Sequence, residues 1–268
     1  MLVSRFDRAT AIFGGVAIFV VLASMITDGT NPLALLKPAP IILVFGGSIC
    51  AATASSYTRV LKNVPTVFRF ALKAPDETPD ETIVQMVRLA EIARREGLLA
   101  LDREGGSIEN EFFKKGIEMT VDGIDPEEIR SLLESEIDSL RERHKDGANF
   151  FMDMGGYAPT LGIIGTVIGL IAVLSNLTDV AKLGPSVASA FVATLWGILS
   201  ANLFWLPIGN KLKKISDTEV TNMQLMLDGI LAIQAGASPR RIEAKLLTYV
   251  RPADRDAIST AKGSDKAA

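Results

Sequence analysis

Four stretches of the chain are almost purely apolar, and the segments between and after them carry most of the charge. Ala9 to Thr27 and Pro38 to Ser56 form one pair, separated by Asp28, Gly29, Thr30, Asn31, Pro32 and a leucine-rich approach. About Phe150 to Leu177 and about Pro185 to Gly209 form the other, with a short loop expected around Asp179 to Gly184. A helix of about 20 mainly apolar residues crosses roughly 30 Å of hydrocarbon with its backbone hydrogen bonds satisfied internally. The pattern therefore predicts an all-α membrane protein: four transmembrane helices in two hairpins, with a helical cytoplasmic domain inserted between spans two and three. The expected divisions are 1–57 (first hairpin), 58–149 (cytoplasmic domain), 150–209 (second hairpin), 210–250 (C-terminal cytoplasmic helices) and 251–268 (disordered tail). The alternative, a soluble protein with four buried core helices, fits poorly with such short connections and with the lack of charge across 150–210. The first apolar run is longer than a signal-peptide core and lacks a small-x-small exit, so it reads as a retained span.

Outside the spans the period is helical. Thr78-Pro79-Asp80-Glu81 has the form of a capping box, and Ile83, Met86, Val87 and Ala90 then share one face, in a run that continues through Arg94 and Arg95 to Gly97. A second short helix is expected from Ile108 to about Thr120. Asp125-Pro126-Glu127-Glu128 starts a third, whose Ile129, Leu132, Leu133, Ile137 and Leu140 keep the 3.6 period. Only Gly147 interrupts the approach to Phe151, so this helix is expected to run on into span three. Ile215, Met223, Leu227 and Ile230 extend span four in the same way. Gly236 and Ser238-Pro239 end it and begin a short helix carrying Ile242, Leu246 and Leu247.

Charge sets the orientation. Lys and Arg number 2 at the N-terminus, 14 between 58 and 150 and 10 in the C-terminal region, against only Lys37 and Lys182 on the other side. Both termini are therefore expected in the cytoplasm, in a multi-pass protein of the lipid bilayer. The mean hydropathy of +0.29 with 22% charged residues matches this split between bilayer and water. A net charge of −3 without a basic run excludes nucleic acid as a partner class. Cys50 is the one cysteine and lies in an apolar run, where a buried structural thiol is expected. His144, the one histidine, sits on a charged helix with no nucleophile or metal-ligand set around it, so neither an enzyme, a resident metal nor a cofactor is expected.

Ionisable residues inside a span are costly and functional. The cores of spans three and four hold none: Asp153 is the nearest and is expected at the interface. Hydroxyls stand there instead, at Tyr157, Thr160, Thr166, Thr194 and Ser200, with Asn202 further along. Each threonine either bonds back to the carbonyl one turn earlier or, if Thr166 and Thr194 meet across the hairpin, lines a path for a small cation. Such a path needs an acid from a partner subunit. Gly162, Gly165 and Gly169 allow close helix approach, either within the hairpin or toward another subunit. Pro159 and Pro207 each remove a backbone donor and kink a helix.

Met154-Gly-Gly-Tyr-Ala-Pro-Thr-Leu-Gly-Ile-Ile-Gly-Thr-Val-Ile-Gly-Leu-Ile171 closely resembles the third membrane helix of flagellar stator A subunits, the MotA/PomA family. Ala190-Phe-Val-Ala-Thr-Leu-Trp-Gly-Ile198 through Leu206-Pro-Ile resembles the fourth, and Ala93-Arg-Arg-Glu-Gly-Leu-Leu-Ala-Leu-Asp102 the rotor-facing motif, in order over about residues 1–250. The resemblance implies five A subunits around two B subunits (MotB/PomB type), whose membrane helix supplies the ion-binding aspartate, in a bacterial inner membrane. It also implies that H⁺ or Na⁺ flow drives rotation. Thr166 and Thr194 match ion-path positions, and a threonine at 166 beside one at 194 resembles the sodium-type pattern. Pro159 and Pro207 match the prolines that couple ion passage to movement. Arg94 and Asp102, with Arg95 as helper, match the charges that engage the rotor switch protein FliG; the family usually has glutamate where this chain has Asp102, a shorter reach of the same sign. Without the resemblance, these charges read as a solvated helix face. Two other functions fit the same spans: an energising proton-channel subunit of the ExbB/TolQ type, which normally has three spans, and a membrane scaffold that conducts nothing.

Overall fold

The computed structural model describes residues 8–72 and 79–255, and every regular element among them is helical. They are α1 (Arg8–Thr27), α2 (Pro38–Ala54), α3 (Thr58–Ala71), α4 (Pro79–Glu96), α5 (Glu111–Val121), α6 (Pro126–Leu174), α7 (Val180–Gln234) and α8 (Pro239–Leu246), with 3-10 runs at Pro32–Leu35 and Leu98–Ser107. Backbone contacts divide the chain into two units: Met1–Pro75 with Arg143–Ile215, and Asp76–Glu142 with Ser216–Ala268. The long helices α6 and α7 contribute to both, as the unbroken periodicity predicts. Thr78 and residues 256–268 lie outside the described residues; of the tail expected to be disordered from 251, the described part forms a 3-10 turn, Pro252–Asp254, with Arg255 Nε donating to Val250 O at 3.0 Å.

In the first unit α6 and α7 are each long and apolar enough to cross a membrane. Much of the described apolar surface of α1 stays exposed, Phe19 to 69% and Ile26 to 64%. Gly29, at φ 72°, ends α1 by letting its own N–H reach Ile26 O (3.1 Å) and the Thr30 N–H reach Met25 O (2.9 Å). Asn31 then caps the first 3-10 turn, its Oδ1 accepting from the Leu33 N–H at 2.9 Å. The second helix contains a π turn, Ile42–Gly46. It packs on α7 through Phe45, which meets the rings of Trp196 and Trp205 edge-on at 5.5 and 6.0 Å, and the Trp196 indole N–H donates to Leu35 O at 2.8 Å.

Two expectations fail here. Cys50 is exposed, because Val44, Ser48 and Ala52 occupy the buried side of α2. The loop expected around Asp179 to Gly184 is shorter: α7 already begins at Val180, its first turn held by the Lys182–Asp179 ion pair at 2.9 Å, and Lys37 Nζ donates to Pro185 O at 3.0 Å.

The packing of α6 on α7 is set by glycine. A Cβ on Gly165 would stand 2.5 Å from Ala193 Cβ, and one on Gly169 2.5 Å from Ala190 Cβ. Gly162 and Gly197 meet backbone to backbone, a Cβ on Gly197 falling 2.8 Å from Ala158 O and 3.0 Å from Gly162 Cα. Of the two readings of the glycine row, intrachain packing accounts for Gly162, Gly165 and Gly169 alike.

The second unit has an ordinary apolar core. Ile83, Met86 and Leu89 of α4, Phe113 and Ile117 of α5, and Ile129 and Leu133 of α6 are fully buried with Leu225, Ile230 and Ile233 of α7 and Ile242 of α8. Gly116 and Gly229 leave room for the tips of Ile230 and Met86. Asn110 caps α5, accepting from the Phe113 N–H at 3.0 Å, and Asp125 accepts from the Glu127 N–H at 2.9 Å to start α6 at Pro126. Asp228 accepts a hydrogen bond from the Tyr249 hydroxyl at 2.8 Å and pairs with Lys245 at 2.9 Å.

Two outcomes follow for the purified protein in detergent. Gly165→Ala should lower thermal stability by about 1–3 kcal/mol, as overpacking does, and adding Ala193→Gly to the same chain should restore most of it, since the obstructing atom is that alanine's methyl. Tyr249 is pushed up to about 12 by burial, then by its hydrogen bond to and the charge of Asp228. The folded state therefore keeps this proton above pH 10, where the unfolded chain releases it, and the stabilisation is lost as pH rises toward 12. Unfolding curves between pH 10 and 12 should fall less steeply for Tyr249→Phe than for the wild type.

Candidate functional site

From Met154 on α6 through the turn to Thr178, and from Leu183 to Asn210 on α7, the sequence has no Asp, Glu, Lys, Arg or His. Within that uncharged wall most hydroxyl and amide side chains bond back along their own helix. Thr160 Oγ1 donates to Tyr157 O at 2.7 Å, Ser200 Oγ to Gly197 O at 3.3 Å, and Asn202 Nδ2 to Ile198 O at 2.9 Å. These are local satisfactions of polar groups in an apolar setting.

Thr166 and Thr194 differ. Their hydroxyls contact each other across the hairpin, one from α6 and one from α7. Thr166 Oγ1 also lies 3.2 Å from Gly162 O and 3.2 Å from Ala190 O, and Thr194 Oγ1 lies 3.4 Å from Gly162 O. Two hydroxyl and two carbonyl oxygens thus cluster at one level, sharing two hydroxyl protons. Gly162 makes this possible twice: its missing side chain admits the α7 backbone, and its carbonyl serves both threonines. Both hydroxyl residues remain half-buried, so the cluster lies at the edge of the packed interface.

The prolines stand nearer the charged ends. Pro159, half-buried, leaves the carbonyl of Gly155 without its amide partner in α6. Gly155 is packed against Leu206, the residue before Pro207: a Cβ there would meet Leu206 Cδ2 at 2.6 Å. The two proline turns therefore occupy adjoining levels of the hairpin. Before Pro207, α7 widens into a π turn, Ala201–Trp205, in which the Leu206 N–H bonds to Ala201 O. The sequence reading did not anticipate this turn; its one local signal is the proline, which clashes with the carbonyl of Leu203 in a regular helix. Trp205 Nε1 is buried beside it without a hydrogen-bond acceptor.

Arg94 and Arg95 end α4, and Gly97 at φ 87° turns the chain into the 3-10 run that carries Asp102. All three charges are exposed, and among the described residues none has a charge partner within the chain. Arg95 lines a groove of about 270 Å³ with Arg88, Glu91, Glu96, Arg103 and Glu104, where Arg88 pairs with Glu104 at 3.1 Å; Arg94 and Asp102 lie outside it. Asp153 is exposed on α6 at the head of the uncharged stretch.

Comparison with known proteins bears on the whole chain. The model of the MotA/TolQ/ExbB proton channel family matches residues 104–225. Motility protein A of Bacillus subtilis (strain 168) is 40% identical over 248 residues, covering 92% of this chain and 92% of that protein. The structure of C. jejuni MotAB superposes with a TM-score of 0.88 at 32% identity, covering 92% of this chain and 96% of that one. The flagellar MotAB stator complex from Bacillus subtilis gives 0.84 at 39% identity, covering 91% and 96%. On this identity over nearly its full length, the chain belongs to the MotA/TolQ/ExbB proton channel family, as a member of its motility protein A branch.

Proposed function

We propose that this chain is the A subunit of a flagellar stator and couples the flow of Na⁺ to torque on the rotor. The observation that carries the reading is the contact of Thr166 with Thr194 in an otherwise uncharged wall. Hard cations such as Na⁺ bind to oxygen, and four neutral oxygens at one level can replace part of a hydration shell. The wall lacks the carboxylate that would balance the cation's charge, so the acid comes from a B-type partner. The topology is four spans, α1, α2 and the apolar parts of α6 and α7, with both termini in the cytoplasm, as the Lys and Arg distribution supports. Several copies of the chain, five by family resemblance, surround two B chains. Movement begins at Pro159 and Pro207, where missing hydrogen bonds and the π turn make α6 and α7 easiest to bend. Because α6 and α7 continue unbroken into the second unit, bending there reaches the segment bearing Arg94, Arg95 and Asp102. Their exposed, unpaired charges engage the rotor switch protein.

Cells that depend on this stator should stop swimming when sodium is withdrawn and continue when the proton gradient alone is collapsed; the reverse pattern rejects sodium as the coupling ion. Thr166→Val with Thr194→Val keeps shape and removes both hydroxyls, so swimming speed should fall severalfold or more while the chain still co-purifies with its B partner. Pro159→Leu restores a backbone donor to α6. Motility should be lost with membrane levels unchanged, and wild-type motility in that variant would show that the proline has no coupling role.

A further inference from the structure

From Gly29 to Pro75 the chain contains no acidic residue, in a protein whose net charge is −3. The later part of this stretch is α3, which begins three residues after α2 ends. One face of α3, formed by Val60, Leu61, Val64, Val67 and Ala71, packs on Ala148, Phe151, Met154 and Leu212. At 100° per residue, Arg59, Lys62 and Arg69 fall on the opposite face within an arc of about 80°. All three are exposed, and among the described residues none has a carboxylate partner. The surface beneath α3 marks the edge of the uncharged stretches: on α6 it lies where Arg143, Lys145 and Asp146 give way to Phe150 and Phe151, and on α7 where Ile208 gives way to Lys211. Phe68 and Phe70 are 39% and 52% exposed on the same helix, and aromatic side chains favour the membrane–water boundary.

We propose that α3 is a headgroup-binding helix, whose Arg59, Lys62 and Arg69 hold the phosphates of anionic phospholipids in the cytoplasmic leaflet. The cations are strung along about 15 Å of helix rather than converging on a pocket. That spacing suits an array of headgroups and not one compact free anion. Charge of a single sign and position at the end of an apolar helix are what attract a juxtamembrane segment to an anionic surface. Bound lipid would fix the corner between α2 and α3, and with it the face of α3 that covers Phe151 and Met154. The inference rests on the membrane-embedded reading of α2, α6 and α7 and is independent of ion coupling.

The test uses the full chain co-purified with its B partner and reconstituted in nanodiscs of phosphatidylethanolamine and phosphatidylglycerol in equal amounts. Lipid that stays bound on gentle extraction is identified by mass spectrometry. The wild type should retain phosphatidylglycerol well above its bulk share, and Arg59→Gln/Lys62→Gln/Arg69→Gln should weaken that preference about tenfold or more. Arg59→Lys/Arg69→Lys, which keeps the charge, should behave as the wild type. High salt should erase the preference of the unmodified protein, giving the same answer without any variant. Equal retention of both lipids by the wild type, or an unchanged preference in the triple glutamine variant, overturns the proposal. Extraction of the wild-type chain from membranes by alkaline carbonate would instead overturn the embedded reading on which it rests.

Discussion

Gly162 and Gly197 bring two helix backbones closer than any side chain allows, and the candidate ion site exists only because of that approach. A Cβ on Gly162 would lie 2.9 Å from Ala193 O and 3.1 Å from Thr194 Cα. Backbone atoms of a packed helix cannot move aside as a flexible side chain can. Between helices in lipid there is little hydrophobic force, so association relies on close van der Waals contact and interhelical hydrogen bonds. Here both come from the same residues. The glycines seat Ala190 and Ala193 against α6, and that register sets Thr194 beside Thr166 and within reach of the Gly162 carbonyl.

The chemistry left in this wall is neutral, and the reason is electrostatic. An unpaired carboxylate among apolar helices carries a large desolvation cost, whereas a hydroxyl can be satisfied by the carbonyl one turn away. Thr166 is held in this way by Gly162 O, Thr194 reaches the same carbonyl from across the hairpin, and both stay half-buried at the edge of the interface. The proline turns add a mechanical element. Pro159 and Pro207 lie at adjoining levels, the second preceded by a π turn whose last residue, Trp205, has an indole N–H without an acceptor.

Away from the hairpin, the two units are stabilised by different means. The second depends on a buried apolar core and on helix ends closed by Asn110, Asp125 and the left-handed glycines 123 and 236. The first has smaller core clusters, and much of the described apolar surface of α1 stays exposed. Its amphipathic α3 covers the level where α6 and α7 change from charged to uncharged, and turns its cations outward.

Apolar run length and helical period determined much of this from the sequence: the apolar helices, the starts at Pro79 and Pro126, the continuity of α6 and α7, and the uncharged stretches around Thr166 and Thr194. These are properties of local order, since a run of 20 apolar residues or a proline after a capping side chain acts on its own segment. Tertiary structure alone decided which polar groups meet. Thr160, Ser200 and Asn202 look no different in sequence from Thr166 and Thr194, yet each bonds within its own helix. The exposure of Cys50, the docking of α3 and the π turns at Ile42–Gly46 and Ala201–Trp205 were hidden for the same reason. Each depends on what packs against a helix from a distant part of the chain, and no local pattern records that.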